Sequence, residues 1–266
     1  MKRLSNEEVK KTQIEILDIV SSFCDKNSIK YWLDTGTLLG AIRHKGYIPW
    51  DDDIDIGMLR EDYDRFSQLF NNHNERYRFV CLDNTEDFYT AFGKVIDTKT
   101  ILYEPDIHGS KLAVNIDVFV YDNAPDDDKL LKKMYNKRDR YMLMALFSRG
   151  SQILPSDSIL KRIQKHVVHV ATCGFSSKKL IVKAIENSKR YSDVDTKRVG
   201  NFTSVSRIAV DKKVFDSFID VEFEGKMYKA PAGYDEWLTD FYGDYMQLPP
   251  KDKQVSHHLY EAYLID

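Results

Sequence analysis

The chain has 266 residues, 42% of them hydrophobic and 30% charged, with a formal net charge of −3. That balance describes an ordinary globular protein and disfavours a nucleic-acid binder, which would carry a strong basic field. The three cysteines, Cys24, Cys81 and Cys173, stand far apart with no C-x-x-C pair, which speaks against a disulfide framework and a structural zinc site.

The predicted elements follow in order. Ser5 and Glu8 form a capping box, and Val9, Ile16, Val20 and Phe23 make a helical stripe behind it. Residues 31–33 read as a short strand that ends at Asp34-Thr35-Gly36-Thr37, where glycine permits a tight turn. A short helix is predicted over 38–43 and a loop over 44–50, with Pro49 biasing Ile48 away from helix. A strand over 53–58, a helix over 61–71, and strands over 77–82, 91–96 and 101–103 come next. Residues 114–121 give the clearest strand, with Val114, Ile116, Val118 and Val120 on one face and Asn115, Asp117, Phe119 and Tyr121 on the other. Helical periods fill 126–147, 158–172 and 177–191. A hairpin around Glu224-Gly225, a helix near 235–241 and a turn at Tyr242-Gly243-Asp244 lie in the mixed segment that begins near Arg198.

The most informative segment is Asp51-Asp52-Asp53-Ile54-Asp55, about a dozen residues after the Gly-Thr turn. So much like charge in one short run is unfavourable without a cation. A D-x-D arrangement offers the hard oxygen ligands that Mg²⁺ or Mn²⁺ takes. Alternation over Asp53-Ile54-Asp55-Ile56 puts both carboxylates on one face and both isoleucines on the other. The bland alternative is an acidic surface loop, which the alternating isoleucines argue against. Asp117 lies on the polar face of an apolar strand and is the natural third carboxylate; its alternative is a salt-bridged strand residue. Arg43 and Lys94 are candidates for holding phosphate oxygens, with solvated surface cations as the plain reading. His44 in its loop, and His257 and His258 near the C-terminus, are weaker candidates for a base.

The order strand, Gly-Thr turn, helix, strand with D-x-D resembles the nucleotidyltransferase fold of polymerase-β type. The expected class is therefore α+β, a mixed sheet with flanking helices and a helical insertion. The run from Asp34-Thr35-Gly36-Thr37-Leu38-Leu39-Gly40 through Tyr47-Ile48-Pro49-Trp50 to Asp51-Asp52-Asp53-Ile54-Asp55-Ile56 resembles the signature of the LicD family. Further segments agree: Arg60-Glu61-Asp62-Tyr63, Lys94 with Asp97, Ile116-Asp117-Val118-Phe119, and Tyr242-Gly243-Asp244-Tyr245-Met246 followed by Leu248-Pro249-Pro250. The resemblance runs from about residue 5 to the C-terminus, and 125–195 carries no matching motif. Residues 1–266 are accordingly expected to form a single domain, with 1–124 the core that carries the metal site, 125–195 a helical insertion and 196–266 the completing part.

The resemblance implies a metal-dependent phosphotransfer. Its metal aspartates fall on Asp53, Asp55 and Asp117, and its Gly-Thr turn on Gly36 and Thr37. The expected donor is CDP-choline, whose phosphocholine passes to a sugar hydroxyl of a teichoic acid or lipopolysaccharide precursor, a glycan or lipid-linked glycan. Transfer of ribitol or glycerol phosphate from a CDP donor, or nucleotidyl transfer to a small acceptor, is the alternative. A non-enzymatic binding module would be expected to lack part of the aspartate set. Trp50, Tyr47, Tyr242 and Tyr245 are candidates for an aromatic cage around a trimethylammonium group. With no apolar stretch at the N-terminus and no run of 18 apolar residues, a cytoplasmic location is expected. The 158–172 segment carries Lys161, Arg162, Lys165, His166 and His169 beside apolar residues. Its period favours a core-facing helix, with peripheral contact at the inner face of an acidic membrane as the alternative.

Overall fold

The computed structural model describes the chain apart from residues 87, 104–110, 151, 154–156, 256–259 and 266 and the side chain of Lys111. His257 and His258 lie outside the described residues. In chain order the elements are β1 (Lys2–Arg3), α1 (Asn6–Asn27), β2 (Trp32–Leu33), α2 (Thr35–His44), β3 (Asp55–Leu59), α3 (Arg60–Leu69), β4 (Tyr77–Val80), β5 (Gly93–Asp97), β6 (Thr100–Tyr103), β7 (Lys111–Leu112) and β8 (Asn115–Ala124). There follow α4 (Asp128–Arg149), α5 (Ile159–Thr172), α6 (Ser177–Ser188), β9 (Arg198–Asn201), β10 (Ala209–Asp211), β11 (Phe218–Phe223), β12 (Lys226–Pro231), α7 (Tyr234–Tyr242) and β13 (Glu261–Leu264). The expected α+β class, with a mixed sheet and flanking helices, is what forms.

A seven-stranded sheet runs β10-β9-β8-β3-β2, with β5 also on β8 and β4 on β5. Only β3 and β8 are parallel, and their register sets Asp55 opposite Asp117. Antiparallel β5 pairs with the first half of β8 and sets Lys94 opposite Asp117, while β9 takes the second half. Ile54, Ile56 and Met58 and then Ile116, Val118 and Val120 form one core with Ile16, Leu17, Val20 and Phe23 of α1. The capping box forms as read: Glu8 N–H donates to Ser5 Oγ (3.2 Å) and Ser5 N–H to Glu8 Oε2 (2.9 Å).

Most boundaries shift by one to three residues from the sequence reading, and four differences bear on the site or its surroundings. The strand expected from Asp53 starts at Asp55. The peptides before it are tied to α1 instead, because Lys10 Nζ donates to the Asp51 carbonyl (2.7 Å) and Gln13 Nε2 to the Asp52 carbonyl (3.0 Å). Helix α2 starts at Thr35, so Gly36 and Thr37 belong to its first turn rather than to a turn before it. The expected polar face of β8 is also covered: Phe119 meets Phe92 (4.7 Å between centroids) and Tyr121 meets Trp32 (5.2 Å). Burial on both faces is usual for a strand in the middle of a sheet. Finally, α5 turns its apolar residues to solvent; Ile159 is 79% exposed and only Thr172 of that helix is buried.

Candidate functional site

Asp34 caps α2 from an extended backbone, but its side chain makes no cap bond. It accepts from the Tyr121 hydroxyl (2.7 Å) and from Trp32 Nε1 (3.3 Å) inside the core. Burial raises its pKa to about 6, against the pull of those donors. Thr35 follows with φ +42°, a left-handed conformation that costs a β-branched residue on the order of 1–3 kcal/mol. That twist carries its hydroxyl to Asp55, to which it donates. One residue on, a Cβ at Gly36 would stand 2.7 Å from Asp51 Oδ2, so only glycine lets that carboxylate close on the turn. Thr37 Oγ1 accepts from Asp55 N–H (2.8 Å). The first helical bond of α2 runs from Leu38 N–H to the Asp34 carbonyl (3.0 Å). The amides of Gly36 and Thr37 therefore precede the helical ladder, at its positive end.

The Gly-Thr turn and the acidic segment thus meet, as the sequence reading placed them. Asp55 has its pKa raised well above the carboxylate range, by burial first and then by the like charges of Asp53 and Asp117. Asp53 and Asp117 therefore stand near enough to Asp55 to repel it, and Asp117 lies opposite it in the sheet, a set of carboxylates of the donor chemistry a divalent cation suits. In the arrangement seen, Asp117 is turned to Lys94 and Asp55 to Thr35. Among the described residues no three acidic, histidine or cysteine side chains converge to hold an ion in that arrangement. Lys94 also donates to Asn115 Oδ1 (3.1 Å) and is nearly buried. It is a partner of the acidic cluster rather than a solvated surface cation.

Arg43 lies in the last turn of α2. Its Nε–H donates to His44 Nε2 (2.9 Å) and a terminal N–H donates to the Tyr245 carbonyl (2.8 Å). Burial and the neighbouring Arg43 lower the pKa of His44, so His44 accepts from Arg43 and orients it. Arg43, Trp50, Tyr242, Asp244, Tyr245 and Gln247 line a cleft of about 590 Å³. Tyr242 ties this cleft to the carboxylates. The residue stays 39% exposed, while burial of its hydroxyl and then Asp55, Asp34, Asp51 and Asp53 push its pKa up. Trp50, Tyr242 and Tyr245 thus stand together. Tyr47, expected with them, does not line the cleft; its hydroxyl donates to Gln13 Oε1 (2.9 Å) and Lys10 sits over its ring (4.2 Å).

Other motif residues serve the frame. Arg60 holds buried Asp122 through two bonds (2.8 and 2.9 Å), and Arg76 holds buried Asp97 likewise (3.0 and 2.7 Å). Sequence reasoning missed Asp34, Thr35, Lys10 and Gln13 as parts of the site. Only the first two lay within a motif, and nothing local marks α1 as the support of the acidic loop.

The family model described as "LicD/FKTN/FKRP, nucleotidyltransferase domain" matches residues 28–144. The chain is 32% identical over 267 residues, covering both chains in full, to the lipopolysaccharide cholinephosphotransferase LicD of Haemophilus influenzae. Shorter similarities reach the human ribitol 5-phosphate transferase FKRP, 51% over 41 residues (15% of this chain, 8% of that one). The human ribitol-5-phosphate transferase FKTN is 33% identical over 54 residues (20% and 12%).

Proposed function

The chain belongs to the LicD/FKTN/FKRP family, and from that premise we propose that it is a phosphotransferase moving phosphocholine from CDP-choline to a sugar hydroxyl of a cell-surface glycoconjugate precursor, a lipopolysaccharide or teichoic acid. The observation that carries the reading is the meeting of the α2 amino terminus, the carboxylates of Asp53, Asp55 and Asp117, and the aromatic cleft with Arg43. The succession β2, α2, β3, with acids at the start of β3 and opposite on β8, supports a polymerase-β-like nucleotidyltransferase assignment for the fold. The reaction runs in the cytoplasm in this reading.

In this reading Asp53, Asp55 and Asp117 would hold Mg²⁺ or Mn²⁺, which would supply charge neutralisation for the diphosphate and the departing CMP. The amides of Gly36 and Thr37, Arg43 and Lys94 take phosphate oxygens. Trp50, Tyr242 and Tyr245 receive the quaternary ammonium, which offers no hydrogen-bond donor and is bound by ring faces. The acceptor oxygen attacks the choline-bearing phosphorus. A new P–O bond to the sugar forms, the bridging P–O bond to CMP breaks, and a carboxylate, assigned to Asp117, takes the hydroxyl proton. Lys94 stands against that carboxylate and fixes its orientation.

The test is CMP release from CDP-choline, CDP-ribitol and CDP-glycerol, with and without Mg²⁺, in the presence of a glycan acceptor. Release from CDP-choline alone, dependent on the ion, is expected. Turnover confined to CDP-ribitol or CDP-glycerol overturns the choline assignment. Pyrophosphate release from a nucleoside triphosphate makes the chain a nucleotidyltransferase instead.

A further inference from the structure

Helix α5 is mounted inside out. Its half-buried and buried residues are Lys165, His169 and Thr172, one helical stripe at i, i+4, i+7. They are tied to the rest of the molecule: Lys165 Nζ donates to Asp157 (2.7 Å) and to the Gln152 carbonyl (2.8 Å), and His169 Nδ1 sits 2.7 Å from the Phe147 carbonyl. At 100° per residue the opposite face is Ile159, Leu160, Ile163, Val167 and Val170. These five side chains are between 57% and 79% exposed. An ordinary helix of a globular protein buries such a face. A further exposed apolar side chain, Phe175, lies in the turn that follows the helix.

The charge along this part of the chain has one sign. From Ser158 to Ile185 the chain has no Asp or Glu, while Lys161, Arg162, Lys178, Lys179 and Lys183 are exposed. Over 125–195 there are fifteen Lys and Arg against eight Asp and Glu, a surplus of seven in a chain whose total is −3. The basic charge is therefore concentrated in the helical segment that includes α5, and the remainder of the chain is acidic.

We propose that the outer face of α5, with Phe175, is a docking surface for an anionic lipid bilayer. An apolar stripe flanked by Lys and Arg lies in the interfacial plane, sinking its aliphatic side chains below the headgroups while the cations meet lipid phosphates. A second copy is a poorer occupant, because a two-fold contact through this face would bring two basic rims together. Among the described residues no helix is long and apolar enough to cross a membrane, so the contact is peripheral. The inference does not depend on the transfer reaction and is tested without donor or acceptor.

The full chain is floated with vesicles of phosphatidylcholine, alone or with a third of the lipid replaced by phosphatidylglycerol, at low and high salt. Flotation with the anionic vesicles at low salt is expected. The double substitution Ile163→Glu/Val167→Glu should cut the bound fraction about tenfold with an unchanged melting temperature, since both side chains face water. Lys161→Glu/Arg162→Glu should weaken binding at low salt. A Val167→Trp variant should shift its added emission to the blue when anionic vesicles are present. No flotation of the wild-type chain overturns the proposal, as does flotation indifferent to Ile163→Glu/Val167→Glu. A dimer in light scattering that the same double substitution dissociates, without flotation, gives the face to a second copy instead.

Discussion

Asp55 is held in an unfavourable electrostatic position, with burial and the like charges of Asp53, Asp117 and Asp34 all opposing its ionisation. Under the proposed function, Asp53→Asn or Asp55→Asn should remove turnover and abolish the rise in melting temperature that Mg²⁺ and CDP-choline give the wild-type chain. Either variant releasing CMP at the wild-type rate would exclude its side chain from the metal set. Asp34 presents a separate case, because it is buried, has no charged partner in hydrogen-bond contact, and keeps a folded pKa of about 6. The unfolded carboxyl titrates near 3.8, so the folded state holds the proton more tightly. Its contribution is neutral below about pH 4, turns against folding as pH rises toward 6, and is then constant, on the order of 3 kcal/mol at most. Asp34→Asn keeps an oxygen for the Tyr121 hydroxyl and removes that slope. Urea midpoints measured from about pH 4 to 7 should therefore fall less for the variant than for the wild-type chain; parallel profiles would remove Asp34 as the titrating group. The aspartates of the acidic run were legible because their spacing is local. Asp34 was not, since its hydroxyl partner lies 87 residues away and no pattern within a turn announces it.

Strand β8 shows how much of an element the alternation rule can deliver. It placed Ile116, Val118 and Val120 in the core and Asp117 toward the site, as the register with Asp55 and Lys94 has it. It also put Phe119 and Tyr121 with the polar set, whereas both are buried against Phe92 and Trp32. Period two tells which residues share a face, and the rings that cover that face, Phe92 on Phe119 and Trp32, Phe215 and Trp237 on Tyr121, come from distant segments that no local rule supplies. The two faces of β8 should separate by measurement. Ile116→Ala leaves a cavity in the main core and should cost about 2–5 kcal/mol in denaturant unfolding. Asp117→Ala should cost less than that, since Lys94 keeps its bond to Asn115, while CMP release is lost. Full activity in Asp117→Ala would place the third carboxylate elsewhere; an intact unfolding midpoint in Ile116→Ala would contradict its packing. Helix α5 failed in the opposite way: its period was read correctly and its direction was not. Amphipathicity fixes an axis between an apolar and a polar face, and only the contacts of Lys165 and His169 tell which end of that axis points inward.

At the scale of the whole molecule the site is assembled from segments far apart in sequence. Arg43 at the end of α2 holds the Tyr245 carbonyl 202 residues later, and Trp50 shares a cleft with Tyr242 and Tyr245. Composition and periodicity could not bring these together; the motif segments on either side of the helical 125–195 stretch suggested that they belong to one site, and the fold closes the gap. The cleft makes the donor head group a question of chemistry. A trimethylammonium is held by ring faces, each contact worth about 0.5–2 kcal/mol, whereas a ribitol chain needs hydrogen-bond partners. Trp50→Leu and Tyr242→Leu keep apolar bulk and remove the π face. Made one at a time, they should raise KM for CDP-choline by about 2- to 30-fold and leave that for CDP-ribitol nearly unchanged. Arg43 should behave differently, since a phosphate contact is common to every CDP donor. Arg43→Gln should therefore weaken all of them alike. If the two aromatic substitutions also act equally on both donors, the rings serve the cytidine or the packing of the loop. The ammonium must then be bound elsewhere along the cleft, with Asp244 the charged side chain placed to attract it.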